Sequence, residues 1–312
     1  MGCDLRGLND RESRSRLMTH VLELRKDCGI DHGLAERGVP TFVTLHTAED
    51  TRFKEWAMPL EMLAPSLRRC AGALVHGETD LARLGELGIR EHLEKIPHLG
   101  ISFPPRDREQ AARDLGLEGR RIVASAGFAF PHKGFLEAIE AIGLLVPRIP
   151  QILFLAQATR KPEDESIAYL ARCRNRIAEL GLEGHVLIGE DFLREPELAL
   201  LLSAAEVVIL PYRPTPEGVS GAIRFPLACG RATVVTPERI FDDVRNAVYT
   251  IPDGTPESIA KGIEEVLEDP ALRVRLEQAA RRYVEATSAS TLARLHLELY
   301  REALAQARET AA

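Results

Sequence analysis

The sequence predicts an α/β fold built from two Rossmann-like, doubly wound parallel-sheet domains, the N-terminal one incomplete, and three observations carry that prediction. Strand-like and helix-like segments alternate from about residue 40 onward. The runs at 152–155 and 207–210 are apolar at every position, as strands covered on both faces are. At 312 residues the chain is long for one core and suited to two.

In chain order, the first forty residues are polar and Arg-rich apart from a short strand or helix candidate at Val21 to Leu24. Val39 and Pro40 lead into a buried strand at 41–45 that ends at His46. A helix at 60–69, a strand at 71–75, a helix at 79–87 and a short strand at 93–96 follow, which makes half of a parallel α/β domain. Gly100 to Pro105 carries two prolines that neither extend a helix nor donate to a central sheet, so it reads as the linker. The second domain alternates strand 122–126, helix 135–145, strand 152–156, helix 166–180, strand 185–188, helix 197–205 and strand 207–210. It continues with helix 222–228, strand 233–236, a short strand at 248–251, and helices from Glu257 onward.

Bulk properties exclude several classes. The content of 45% hydrophobic and 28% charged residues is ordinary for a soluble globular protein, and no apolar run approaches the roughly 20 residues that span a bilayer. With a net charge of −7 and both signs interspersed, no broad basic surface is available for nucleic acid. The five cysteines (Cys3, Cys28, Cys70, Cys173, Cys229) are scattered, odd in number and without a Cys-x-x-Cys pair, which fits a reducing cytoplasm. No His-Glu-x-x-His or Asp-x-Asp pattern occurs, so no dedicated metal site is expected.

Open parallel sheets bind ligands at the carboxyl ends of their strands, and three strand ends are informative. After the strand at 122–126, the segment Ser125 to Gly134 reads as a glycine turn at Gly127 and a helix start holding Lys133. A lysine there opposes the helix dipole unless an anion uses both it and the free N–H groups, so Lys133 is a candidate phosphate ligand. A solvated surface lysine is the other reading. Lys133 has the P-loop offset from Gly127, but His132 and Gly134 stand where the second glycine and the Ser/Thr belong, which disfavours a nucleoside triphosphatase. No Gly-x-Gly-x-x-Gly motif points to a dinucleotide dehydrogenase.

After Val207–Leu210 comes Pro211-Tyr212-Arg213-Pro214-Thr215-Pro216-Glu217-Gly218-Val219-Ser220-Gly221, leading to a helix that ends at Cys229-Gly230. Small residues let a ligand approach the backbone of Val219, Ser220 and Gly221, and the Glu217 carboxylate can accept from sugar hydroxyls, an arrangement suited to a sugar diphosphate. A turn with a solvated glutamate remains open. His46, at the third strand end, can hydrogen-bond a sugar hydroxyl or face charge developing at the anomeric centre; a half-buried structural histidine is the alternative.

Taken in order, these motifs, with Val43-Thr44-Leu45-His46-Thr47, Ala73-Leu74-Val75-His76-Gly77 and Ile96-Pro97-His98, resemble the retaining glycosyltransferases of family GT4, which have the GT-B fold. The resemblance runs from about Pro40 to the C-terminus. It implies two Rossmann-like domains facing a cleft: 1–103 a truncated acceptor-side domain, 104–289 a nucleotide-sugar-binding domain, and 290–312 a helix returning to the first. It implies that His46 contacts the donor sugar, that Lys133 binds the diphosphate with Gly127 and the backbone of Val219, Ser220 and Gly221, and that Glu217 binds sugar hydroxyls. His46 and Glu217 are thus the catalytic candidates, with Arg224 and Phe225 on the ribose or base side. The sequence departs from the family at Phe128, where an arginine is common, at Phe225, where a second glutamate is usual, and in its short N-terminal domain.

The expected function is transfer of a sugar from a nucleotide-sugar donor, without metal or cofactor, to a sugar, lipid-linked or polysaccharide acceptor. The expected location is cytoplasmic, with peripheral contact at the inner membrane face. A non-catalytic donor- or partner-binding remnant is the main alternative, and a nucleotide-sugar epimerase the weaker one.

Overall fold

The computed structural model describes residues 40–48, 51–53, 56–58, 60–90, 92–215 and 217–310. The candidate segment Val21 to Leu24, together with Cys3, Cys28 and Pro216, lies outside the described residues. The chain divides into two compact units, Met1–Ile96 with Ala293–Ala312, and Pro97–Leu292.

The first unit contains a parallel three-stranded sheet in the order β1 (Phe42–Leu45), β4 (Gly72–Val75), β5 (Leu93–Lys95). Gly72 is required here because a Cβ would collide with the ring of Phe42 on the neighbouring strand. An antiparallel pair, β2 (Thr51–Phe53) and β3 (Trp56–Met58), lies between β1 and β4 in the chain and was not expected from the sequence. The helix predicted over 60–69 forms as a 3-10 turn, Leu60–Met62, and a single turn α1 (Ala64–Leu67). Pro65 removes the N–H that would have joined the two. The helix α2 (Glu78–Glu86) then places Leu84 beneath the sheet, with Ala73 and Val75 in one apolar cluster.

The second unit is a six-stranded parallel sheet in the order β11-β10-β9-β6-β7-β8. Its strands are β6 (Arg121–Phe128), β7 (Ile152–Thr159), β8 (Val186–Gly189), β9 (Val207–Leu210), β10 (Ala232–Val235) and β11 (Tyr249–Thr250). Successive residues of β7 feed opposite faces: Ile152, Phe154 and Ala156 join one core, and Leu153 and Leu155 the other. That alternation with both faces buried is why the run is apolar throughout. The first core is closed by α4 (Phe135–Leu145), α5 (Asp164–Glu179) and α8 (Pro256–Glu268), the second by α3 (Arg108–Asp114), α6 (Glu195–Ser203) and α7 (Arg224–Ala228). α9 (Pro270–Ala286) packs at the β10 side, and α10 (Ala289–Thr310) ends the described chain. Asp107, Thr255 and Asp269 accept from the first-turn N–H groups of α3, α8 and α9, which fixes where those helices begin. Among the described residues no helix is long and apolar enough to cross a membrane.

The strand order sets the position of a ligand site. From β6 the chain moves outward through β7 to β8, then returns on the other side of β6 at β9 and continues to β10 and β11. β6 and β9 are neighbours whose connections leave in opposite directions, so a crevice opens outside their carboxyl ends.

Candidate functional site

The two loops that leave β6 and β9 at the switch point carry the main candidates. β6 extends to Phe128, so Gly127 is paired with Ala158 inside the strand and is not the turn the sequence suggested. The turn is a 3-10 segment, Pro131–Lys133, closed by Gly134 with φ of 72°. Lys133 therefore precedes α4 and does not sit in its first turn. Gly134 is obligatory twice over: its φ is left-handed, and a Cβ would overlap the Pro211 carbonyl oxygen. The loop after β9 is stitched to this turn by the Arg213 N–H, which donates to the His132 carbonyl at 2.8 Å.

This stitching brings together Lys133 and Glu217, which are 84 residues apart. The Lys133 ammonium donates to Glu217 Oε2 at 3.2 Å and lies 4.1 Å above the ring of Tyr212. Lys133 is buried, and that burial pushes its ammonium below the ordinary lysine range, with the Glu217 carboxylate opposing the change. Glu217 is half exposed, so its carboxylate is the solvent-facing partner. His132 Nε2 lies 3.8 Å from Glu217 Oε1, too far for a hydrogen bond. Burial and then the charge of Lys133 lower the His132 pKa, while Glu217 and Glu165 oppose them.

Tyr212 was not assigned a role from the sequence, although its position two residues beyond β9 was a usable signal. The ring is fully buried, and its hydroxyl faces Ser220 and Gly127. Burial holds the phenol above its ordinary pKa, so it is a neutral donor at the floor of the crevice.

The segment 219–221 differs from expectation in two respects. It lies in a bend ahead of α7, a helix of only five residues, so a long helix dipole is not available to it. The Ser220 N–H already donates to the Ile240 carbonyl at 3.0 Å, and the Ser220 hydroxyl accepts from the Ile223 N–H at 3.3 Å. Val219 and Gly221 retain backbone N–H groups that have no acceptor among the described residues.

Arg224 and Phe225, the candidates for the ribose or base side, are both engaged by protein partners. The Arg224 guanidinium is fully buried, ion-paired to Asp243 and hydrogen-bonded to the Tyr283 hydroxyl, with its carbon 5.3 Å from the Tyr283 ring centroid. It joins α7 to α9 and the 3-10 segment Arg239–Ala247, so its charge is already engaged by protein groups. Phe225 stacks on Phe103, with centroids 6.2 Å apart, and covers the core beside α3 and α6. Phe128 ends β6 partly exposed, with the Lys161 ammonium 3.9 Å above its ring.

In the first unit, His46 directly follows β1, as predicted, and is exposed. Its Nδ1 lies 3.1 Å from Nε2 of His76, which follows β4.

A 3-2-1-4-5-6 parallel sheet, with a buried lysine and a half-exposed carboxylate at the carboxyl ends of the strands flanking the switch point, is a doubly wound Rossmann-like domain with its candidate site where such sheets bind ligands. Residues 107–283, more than half of the chain, match the family described as "Glycosyl transferases group 1", and the chain belongs to that family. Among solved structures it is similar to Anabaena HepE in complex with UDP (16% identity, 83% of this chain and 71% of that one covered, TM-score 0.71). It is also similar to sucrose-phosphate synthase from Thermosynechococcus elongatus (21%, 95% and 80%, 0.71). A third is α,α-trehalose 6-phosphate synthase from Burkholderia multivorans (13%, 96% and 78%, 0.72). At these identities the likeness is one of fold, and it is that of the GT-B glycosyltransferases. A comparison with the curated proteins finds no match.

Proposed function

We propose that this chain is a retaining, metal-independent glycosyltransferase of the GT4 kind, using a nucleotide-sugar donor. The observation that supports it best is the Lys133–Glu217 pair at the switch point. A buried ammonium forced below its ordinary pKa gains from any anion that adds to its coordination, and a diphosphate brings two. When the diphosphate takes over Lys133, Glu217 is released to accept hydrogen bonds from the sugar. The N–H groups of Val219 and Gly221 and the Tyr212 hydroxyl add neutral donors, with Gly127 leaving room beside them. Charge developing on the leaving diphosphate would then be met by donors already in place, the term that usually dominates such catalysis. His46 is the residue proposed to meet the donor sugar.

HepE was crystallised with UDP-glucose as well as UDP, which makes UDP-glucose the first donor to test. The acceptor we propose is a sugar, lipid-linked or polysaccharide hydroxyl, and the location cytoplasmic, with peripheral contact at the inner membrane face. The test is turnover: UDP release from UDP-glucose that depends on an added acceptor, with the anomeric configuration of the product read by NMR. Acceptor-dependent release with retained configuration supports the proposal, and inversion contradicts it. A second reading, a domain that binds donor without transferring it, is favoured by Phe128, which puts a phenyl ring where the family often carries a cation. Donor binding with no release for any acceptor class would select it.

A further inference from the structure

A second lysine stands beside the end of β6. β6 and β7 pair in parallel as far as their last residues, Phe128 opposite Thr159. Two residues further on, Lys161 is tied down by its chain: its N–H donates to the hydroxyl of the fully buried Ser166 at 3.0 Å, and the preceding Arg160 N–H donates to the Glu190 carbonyl at 2.8 Å. The Lys161 ammonium lies 3.9 Å above the ring of Phe128. Glu163, Asp164 and Glu165 follow it in the chain, yet it makes no ion pair among the described residues. A phenyl ring holds a cation weakly, leaves its charge uncancelled and offers no lone pair to its three N–H groups. The Lys133 side chain meets the residue before Phe128, its Cδ 3.9 Å from where a Gly127 Cβ would stand. The start of α5 lies by the same turn, since the Tyr169 hydroxyl accepts from the Leu136 N–H at 3.0 Å and the charge of Glu165 is felt at His132. Two lysines from neighbouring strand ends thus flank the last two residues of β6, one partnered by Glu217 and one by a ring.

We propose that Lys161 is a second phosphate ligand, held ready on the Phe128 ring, which turns from the ring to the diphosphate of the donor. The anion half of this statement stands on the place and partners of Lys161; the nucleotide half rests on the transferase reading. A diphosphate carries more negative charge than one lysine offsets, and Lys133 is already shared with Glu217. Phe128, a phenyl ring where the family often carries a cation, brings one from the next strand.

The test is calorimetry of the full chain with UDP and with inorganic pyrophosphate, at low and high salt, for the wild type, Lys161→Gln and Lys161→Arg. The bond to Ser166 uses the backbone of Lys161, so both substitutions leave it intact, and matching urea midpoints check that they do. Lys161→Gln is expected to weaken UDP and pyrophosphate by about ten-fold, the low end of what a hydrogen bond to a charged group contributes, and to make both affinities less sensitive to salt. Lys161→Arg keeps the charge and can stack on the Phe128 ring, so it is expected to restore both to within about two-fold of the wild type. Where the wild type binds UDP, the variants decide: unchanged UDP affinity in Lys161→Gln, or an equal loss in Lys161→Gln and Lys161→Arg, overturns the proposal and leaves the transferase reading standing. A wild type that binds pyrophosphate through Lys161 but does not bind UDP upholds the anion site and sinks the transferase reading. If it binds neither ligand, or binds pyrophosphate alone and without help from Lys161, both fall.

Discussion

The Lys133 ammonium and the Glu217 carboxylate meet at 3.2 Å, at the carboxyl ends of the two strands where the sheet reverses its winding. Their contact keeps a buried cation partnered and, on the proposed reading, occupies the place of the donor diphosphate. Because Glu217 is half exposed, the contact is worth about 0.2–1 kcal/mol, small enough for a ligand to replace. Glu217→Gln is therefore expected to tighten UDP binding by about two- to five-fold, since UDP no longer competes for Lys133. The same variant should lose affinity for UDP-glucose relative to UDP, since the carboxylate that accepts from the sugar is gone. Titration calorimetry with both ligands checks the two directions, and weakened UDP binding would show that Glu217 assists the nucleotide.

Gly134 positions Lys133, and its replacement tests how tightly. Gly134→Ala places a methyl group against the Pro211 carbonyl at a left-handed φ, with an expected loss of about 2–4 kcal/mol in urea unfolding. Gly181→Ala is the control, since φ is 64° but the space is open, and about 1 kcal/mol is expected. Equal losses would mean that the Pro211 contact has no cost of its own.

Arg224 separates structure from ligand binding. Removing it leaves the buried Asp243 uncompensated, so Arg224→Met should cost about 3–5 kcal/mol of stability. Arg224→Met with Asp243→Leu should recover most of that loss. In the double variant UDP affinity is expected to match the wild type; a ten-fold weakening would return Arg224 to the nucleotide site.

The lowered pKa of His132 sets a pH dependence. Its folded value lies below 6.5, so the unfolded chain takes up the proton first on acidification. The stabilisation from neutral His132 is complete above pH 6.5 and is lost as pH falls through the folded value. His132→Phe keeps a ring stacked on Phe130 and removes the titration. Urea midpoints measured from pH 7.5 to 5 should fall less steeply in that variant; identical slopes would contradict the assignment.

How much of this was legible in the sequence depends on where the determining partner lies. The central strands were legible because a run such as Val207–Leu210 encodes burial on both faces locally, and Lys133 and Glu217 because they follow strand ends. The course of the chain at Gly127 was not, because extension of β6 depends on pairing with Ala158, 31 residues away. Arg224 sits beside Phe225 at the head of a short helix, and only the fold reveals that its partners are Asp243 and Tyr283. The Ser220 N–H is occupied by the carbonyl of Ile240, which no local pattern announces. His76 could have been flagged by the strand-end rule that selected His46, since both residues directly follow parallel neighbours.

The most direct measurement of the central claim is calorimetric binding of UDP to the wild type and to Lys133→Ala, without added metal. Binding by the wild type, weakened ten-fold or more by the substitution, is the predicted result and corresponds to about 1.4 kcal/mol lost at the diphosphate. Equal affinity in the two proteins, with the variant folded, would contradict a diphosphate site at Lys133.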